Sequence, residues 1–496
     1  MALSLGENKS NQFEIRIVLS LVWLYLLAEF FSAPKDLSTG YLIKILLIDC
    51  FAIALFLFRR ESNRFLKNQF IRITPLFLLG FVIVHFQIYL DVIDGIYYTF
   101  GHDYLFDTSI VCKACVLSSM AMVSFFIGYT FKQQIKNEEN GIISTNVKLR
   151  EKVYIFPIYI LFITFIASTD PRYFMGGYGP AAFGGIELSG LSYYSSFYLG
   201  LMFLAYVAIR TYNLKYFYKI KVYGISDFIK KFDRRILFVA AIYFLLVLMS
   251  GDRGPVLQLG ITFFGAFVLI YYKKISFLKI SFFLVIGIFV MSFIAYARSF
   301  KEIDSFWDKI SSANELMAET KRNASISPAT IELASSVRTV HAAVSYTESN
   351  DYYYGAFQGV QIIGIIPGFG LLISNLFGFE LDQYKSVTLL TDAILGNDPT
   401  HSVGTSPVAD IYLDFGVLGV SVIFFAFGTF IRRIEFSVFS NNLAPLILWA
   451  LFFLILSKAV YIGRSTIIIL FREGIQLYLI MYLLSVLGVK KNKLNI

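Results

Sequence analysis

The chain has 496 residues, of which 57% are apolar and 18% aromatic while only 16% carry charge, and its mean hydropathy is +0.67. That balance excludes a soluble globular enzyme, because ordinary domains are about a quarter charged. The 43 Lys and Arg exceed the 34 Asp and Glu by a net +9; in a soluble chain this would suggest nucleic acid, but here the cations sit in short loops between apolar runs, so membrane lipid is the expected partner and nucleic acid is not.

A bilayer-crossing helix takes roughly 20 apolar residues. On that measure spans are predicted near 15–32, 41–58, 71–90, 109–131, 153–168, 191–209, 236–250, 255–272, 278–297, 409–431, 443–462 and 466–487. The sequence therefore predicts an all-α polytopic membrane protein of about 12 transmembrane helices. The first run lacks a small-residue cleavage site and reads as a span, not a removable signal. Cys50, Cys112 and Cys115 all fall in apolar runs. Cys112 and Cys115 have no second pair or nearby histidines to make a zinc site, so they read as buried helix residues.

With the N-terminus in the cytoplasm, clusters such as Arg59, Arg60, Arg64 and Lys67 fall inside, as do Lys490, Lys491 and Lys493. The outside loop 91–107 carries Asp91, Asp94, Asp103 and Asp107 and no Lys or Arg. Both termini are expected to be cytoplasmic. The apolar stretch 359–378 is interrupted by Pro367 and by Gly364, Gly368, Gly370 and Gly378. Counting it as a span would move Arg432, Arg433 and the lysine tail outside, so it reads as a re-entrant or surface-lying segment. The expected organisation is spans one to nine in 1–297, a large outer loop over 298–408 with a helical part, and the last three spans with a tail in 409–496. A loop that long argues for function, since a mere connection is far shorter.

Cations stand where a membrane disfavours them. Arg253 lies in the outer turn Gly251-Asp252-Arg253-Gly254-Pro255, and Arg298 follows span nine. Lys458 and Arg464 flank the turn between spans eleven and twelve, and Arg472 beside Glu473 lies further along span twelve. Each alone is explained by snorkelling or ion pairing, whereas five on one leaflet resemble an anion pocket, and guanidinium suits bidentate phosphate recognition. A lipid-linked diphosphate would sit at this depth. His341 and His401 join the same face, and Arg338, three residues before His341, shares its helix face. His85 and His102 read as plain structural residues. No metal-binding, nucleotide-binding or serine-hydrolase motif occurs, so no metal and no cofactor is expected.

The segment from His401 to Gly419 puts a His on a polar turn, then Ser, Thr and Pro helix-start signals, then Asp410 in the first helical turn and Asp414 one turn later. Capping accounts for Asp410 but leaves Asp414, deeper in lipid, as an intramembrane acid that suggests function. Gly416 and Gly419 would allow close helix packing.

The glycine-bracketed Arg turn, the large late outer loop, and the His401 that precedes Asp410 by nine residues resemble the O-antigen polymerases (Wzy, oligosaccharide repeat-unit polymerases). So does the entry to span ten, typically acid-x-Tyr-x-Asn-Phe-Gly-x-x-Gly, which reads Asp410, Tyr412, Asp414, Phe415, Gly416 and Gly419. Asp replaces the usual Glu and Asn, which leaves open whether Asp410 or Asp414 is the important acid. The resemblance implies a C-type (GT-C-like) glycosyltransferase of the bacterial inner membrane with a large late periplasmic loop. Donor and acceptor would be undecaprenyl-diphosphate-linked oligosaccharides, with a chain-length regulator protein as a further partner. Arg253, Arg298, Arg338, Arg464 and Arg472 would then stabilise the diphosphate leaving group in place of a metal ion. His401, His341 or Asp410 would serve as base, with His401 oriented by Asp410 ranked first. Tyr352, Tyr353 and Tyr412 are the expected glycan-binding residues, although an interfacial aromatic belt explains such tyrosines equally well. The nearest competing function is O-antigen ligase; a lipid-linked oligosaccharide flippase would show matching halves and midplane charges, which the sequence lacks.

Overall fold

The computed structural model describes residues 2–59, 61, 66, 71–96, 98–99, 102–103, 105–131, 148–175, 185–272, 330–366, 369–378, 385–396, 399, 402–440 and 442–486. The expected span at 278–297, Arg298, His401 and the lysine tail lie outside these residues. Helices cover the other eleven expected spans: α1 (Ala2–Ser32), α2 (Thr39–Phe58), α3 (Ile73–Ile93), α4 (Val111–Thr130), α5 (Ile155–Ser168), α6 (Gly190–Tyr212), α8 (Arg234–Ser250), α9 (Arg253–Ile270), α15 (Pro407–Phe439), α16 (Leu446–Lys458) and α17 (Ile467–Ser485). Among the described residues nine helices are long and apolar enough to cross a membrane. The protein is an all-α polytopic membrane protein. The short helix α7 (Ile225–Ile229) lies in a connection, and a two-residue antiparallel ladder, Tyr98–Thr99 with His102–Asp103, lies between α3 and α4.

Between α9 and α15 come five shorter helices: α10 (Ile331–Ala334), α11 (Val337–Ser349), α12 (Ala356–Ile363), α13 (Phe369–Phe377) and α14 (Ser386–Leu395). The apolar stretch 359–378 is thus split between α12 and α13, of 8 and 9 residues, each far shorter than a crossing requires. Ile362, Ile366, Leu372 and Leu376 on it are more than half exposed.

Contacts sort the helix ends into two groups. At one end Arg16 of α1 lies over Phe131, the Tyr154 hydroxyl meets Ser485 Oγ at 2.9 Å, and Glu435 accepts hydrogen bonds from Thr74 N (2.7 Å) and the Tyr129 hydroxyl (2.6 Å). The start of α1 and the finish of α17 share this end. At the far end Tyr89 meets His341, Lys113 pairs with Glu348, and Arg253 pairs with Glu332, so the short helices α10 and α11 sit there.

Two glycine features fix α15 in place. A methyl group on Gly128 of α4 would lie 2.0 Å from Phe425 O, and one on Gly428 would lie 2.2 Å from Phe125 O. The two helices therefore cross backbone to backbone, as small residues permit in a membrane. The second feature is a break: Gly416, inside α15, has φ 63° and ψ −163°, a region open essentially to glycine alone. A Cβ there would also lie 3.0 Å from Tyr352 Cζ. Gly416→Ala is expected to destabilise the protein by on the order of 1–3 kcal/mol, read as a lower thermal midpoint in detergent. Gly260→Ala, where a Cβ meets nothing within 4 Å, is the control expected to cause no loss; equal midpoints for both variants would refute the strained break.

Candidate functional site

The turn carrying Arg253 follows from its sequence. Gly251 closes α8 in the left-handed region at φ 87°, and the Asp252 carboxylate caps α9 by accepting from Gly254 N at 3.1 Å. Arg253 is therefore the first residue of α9, where the helix dipole disfavours a cation. Its guanidinium is held instead by Glu332 of α10. Arg464, at the end of the 3-10 turn Ala459–Arg464, lies 3.9 Å from the same carboxylate and donates to Glu332 O at 3.4 Å. Two guanidiniums from turns about 200 residues apart thus meet on one acid, and that acid's side chain is 47% exposed. A methyl group on Gly404 would lie 3.8 Å from Arg464 Nε, which puts Arg464 beside the segment leading into α15.

Two further cations lie at this end. Lys458 pairs with Glu473 across the turn between α16 and α17. Arg472 points the other way, with Nη1 3.5 Å from where a Gly364 Cβ would be, at the last turn of α12. A cavity of about 390 Å³ opens among α6, α8, α9, α16 and α17, with Asp252, Lys458 and Glu473 in its wall.

Asp410 and Asp414 both turn toward α12. Asp410, 0% exposed, accepts from Gln358 Nε2 at 2.6 Å, from Gln361 Nε2 at 3.2 Å and from Ser386 Oγ at 2.5 Å. Asp414 accepts from the backbone N–H groups of Phe357 (3.2 Å) and Gln358 (2.8 Å), which caps the start of α12. The two acids of span ten thus hold α12 at both its entry and its middle, and α12 in turn meets Arg472. Gln358, Gln361, Ser386, Glu332 and Tyr89 were not singled out from sequence; the one available signal was the acidic excess of the outer region opposite so many cations.

His341 stands apart from this group. On α11, it is 0% exposed, with Nε2 at 3.0 Å from the Tyr89 hydroxyl and Nδ1 without a hydrogen-bond partner among the described residues. Arg338 lies on the same helix face as expected. Burial first, then the Arg338 guanidinium, pushes the His341 imidazole down to about 3, against an upward pull from Asp107. The unfolded chain takes up a proton below about pH 6.5 while the folded imidazole stays neutral. Its stabilising contribution is therefore complete above pH 6.5 and is lost as pH falls toward 3, by up to about 1.4 kcal/mol per unit. The thermal midpoint between about pH 7.5 and about pH 5 should fall more steeply for wild type than for His341→Gln; equal slopes would refute a buried neutral imidazole.

Of the three tyrosines, Tyr412 is 2% exposed and packs edge-on against Tyr352 at 5.9 Å. Tyr352, 36% exposed, covers the Gly416 break, and the Tyr353 hydroxyl meets that of Tyr346 at 2.8 Å. Tyr352 is the most accessible of the three.

Among known families, the model described as O-antigen polysaccharide polymerase Wzy matches residues 14–493. No curated protein and no solved structure matches the chain.

Proposed function

The chain belongs to the O-antigen polysaccharide polymerase Wzy family, and on that premise we propose that it joins undecaprenyl-diphosphate-linked oligosaccharide repeat units at the far end of the bundle, on the periplasmic face of the bacterial inner membrane. The observation that carries this placement is the convergence of Arg253 and Arg464 on the half-exposed Glu332. A diphosphate offers these guanidiniums more negative charge and more acceptor oxygens than one carboxylate does.

In the transfer, an acceptor hydroxyl oxygen attacks the anomeric carbon of the donor sugar. The anomeric carbon–oxygen bond breaks, and its electron pair leaves on undecaprenyl diphosphate. Arg253 and Arg464 take up the charge that develops there, so that guanidinium and not a metal ion meets it, and Arg298, Arg338 and Arg472 are further candidates for the same role. The hydroxyl proton passes to a base, for which His401 is the first choice. Asp410, already accepting from three side chains, suits orientation better than proton transfer.

Deleting the gene in its native strain, with plasmid complementation, tests the reading on a gel of surface glycolipid. A ladder collapsing to core plus one repeat unit is the expected result. An unchanged ladder would refute it, and long chains accumulating on undecaprenyl diphosphate would point to ligation instead.

A further inference from the structure

The cavity beside the Arg253 turn has a chemistry of its own. It runs from Asp252 and Lys458 at the helix ends down to Thr262, ten residues past Asp252 and so about 15 Å along the axis of α9. Its charged lining is three carboxylates, Glu187, Asp252 and Glu473, against the one ammonium of Lys458. That excess repels a diphosphate, so the cavity and the Arg253–Glu332–Arg464 cluster select different parts of a ligand.

The rest of the lining suits a neutral polyhydroxylated ring. Tyr193 and Phe197 offer near-parallel rings, 6.3 Å apart with an interplanar angle of 10°. The apolar face of a pyranose packs on such surfaces, while its hydroxyl groups need paired donors and acceptors. The Lys458–Glu473 couple presents one of each side by side. The side-chain amide of Gln258 adds both on one group and makes no hydrogen bond among the described residues, and the Ser196–Tyr243 hydroxyl pair at 3.0 Å continues the polar wall. A volume of about 390 Å³ is within the range of small-ligand pockets.

We propose that this cavity binds the non-reducing terminal sugar of the acceptor repeat unit, a proposal that rests on the polymerase reading above. A deep cleft between helices admits the end of a glycan. The donor's linking sugar, by contrast, is tethered to diphosphate on one side and to the growing chain on the other. The acidic lining keeps the carrier diphosphate outside, where Arg253, next in sequence to Asp252, awaits it.

The test uses the full chain in nanodiscs and the lipid-free repeat-unit oligosaccharide, released by mild acid from lipid-linked units of the native strain. Saturable binding by wild type is expected, weakened about tenfold in Gln258→Leu and in Tyr193→Ala, with thermal midpoints unchanged. Equal affinity in all three proteins would overturn the sugar site while leaving the gene-deletion result, and with it the polymerase reading, intact. Displacement of the bound oligosaccharide by sugar-free undecaprenyl phosphate would also overturn it, by reassigning the cavity to the isoprenoid chain. If the polymerase reading itself fails, the deletion strain keeps its ladder whatever the binding assay reports.

Discussion

Arg253→Ala and Arg464→Ala are each expected to cut the rate of chain growth by on the order of a hundredfold or more, the usual cost of losing one contact to a developing negative charge. Arg253 occupies the first residue of α9, where the helix dipole opposes it, and nothing in the turn's own geometry requires a cation there. Arg464 reaches the same carboxylate from a different turn. Lysine at either position should recover only part of the rate, since an ammonium keeps the charge but loses the planar two-pronged geometry. Single-turnover polymerisation with purified lipid-linked repeat units gives the rate, and the thermal midpoint of each variant checks folding. A wild-type chain-length distribution from Arg253→Ala would sink the diphosphate role.

Asp410→Ala should have the second-largest effect, through a different route. It leaves the amides of Gln358 and Gln361 and the hydroxyl of Ser386 buried without their acceptor, at about 1–3 kcal/mol for each unsatisfied group. α12 then loses its anchor, and with it the placement of the helix end that meets Arg472. The expected outcome is a loss of activity near a hundredfold together with a lower thermal midpoint. Asp414→Ala removes the α12 cap and should cost about 1 kcal/mol of stability. The pH–rate profile separates a positioning role from proton transfer. If Asp410 orients, Asp410→Asn keeps the wild-type profile at reduced amplitude; if it is the base, the acid limb disappears. Loss of that limb would overturn the positioning assignment.

Eleven of the twelve expected spans fall on helices among the described residues, legible in the sequence because about twenty apolar residues report a single quantity, the thickness of hydrocarbon to be crossed. The stretch 359–378 shows the limit of that measure. Its apolar density equals that of a span, and only Pro367 and the glycines signal that it divides into α12 and α13. The Arg253 turn was legible too, since Gly251, Asp252 and Pro255 each have a local conformational meaning. What sequence could not supply was the partner. Glu332 reaches Arg253 and Arg464 from residues 79 and 132 positions away, and Lys458 finds Glu473 across a turn with no helical periodicity to announce it. From sequence Gly416 reads as a packing residue, whereas its backbone conformation breaks the helix. A positive φ leaves no trace in composition beyond the glycine itself.

The acid shared by Arg253 and Arg464 has a kinetic consequence. Glu332 acts as an internal rival for the guanidiniums, present at one copy per site and at an unchanging effective concentration. If the two guanidiniums bind the carrier diphosphate as proposed, every anion that docks there must first win against Glu332, which would handicap singly charged lipids more than diphosphates. After transfer, the spent carrier would face the same rival at the moment it must depart. A tether of this kind trades tight capture for rapid clearance, a useful bargain for an enzyme that must bind another lipid-linked chain after each step.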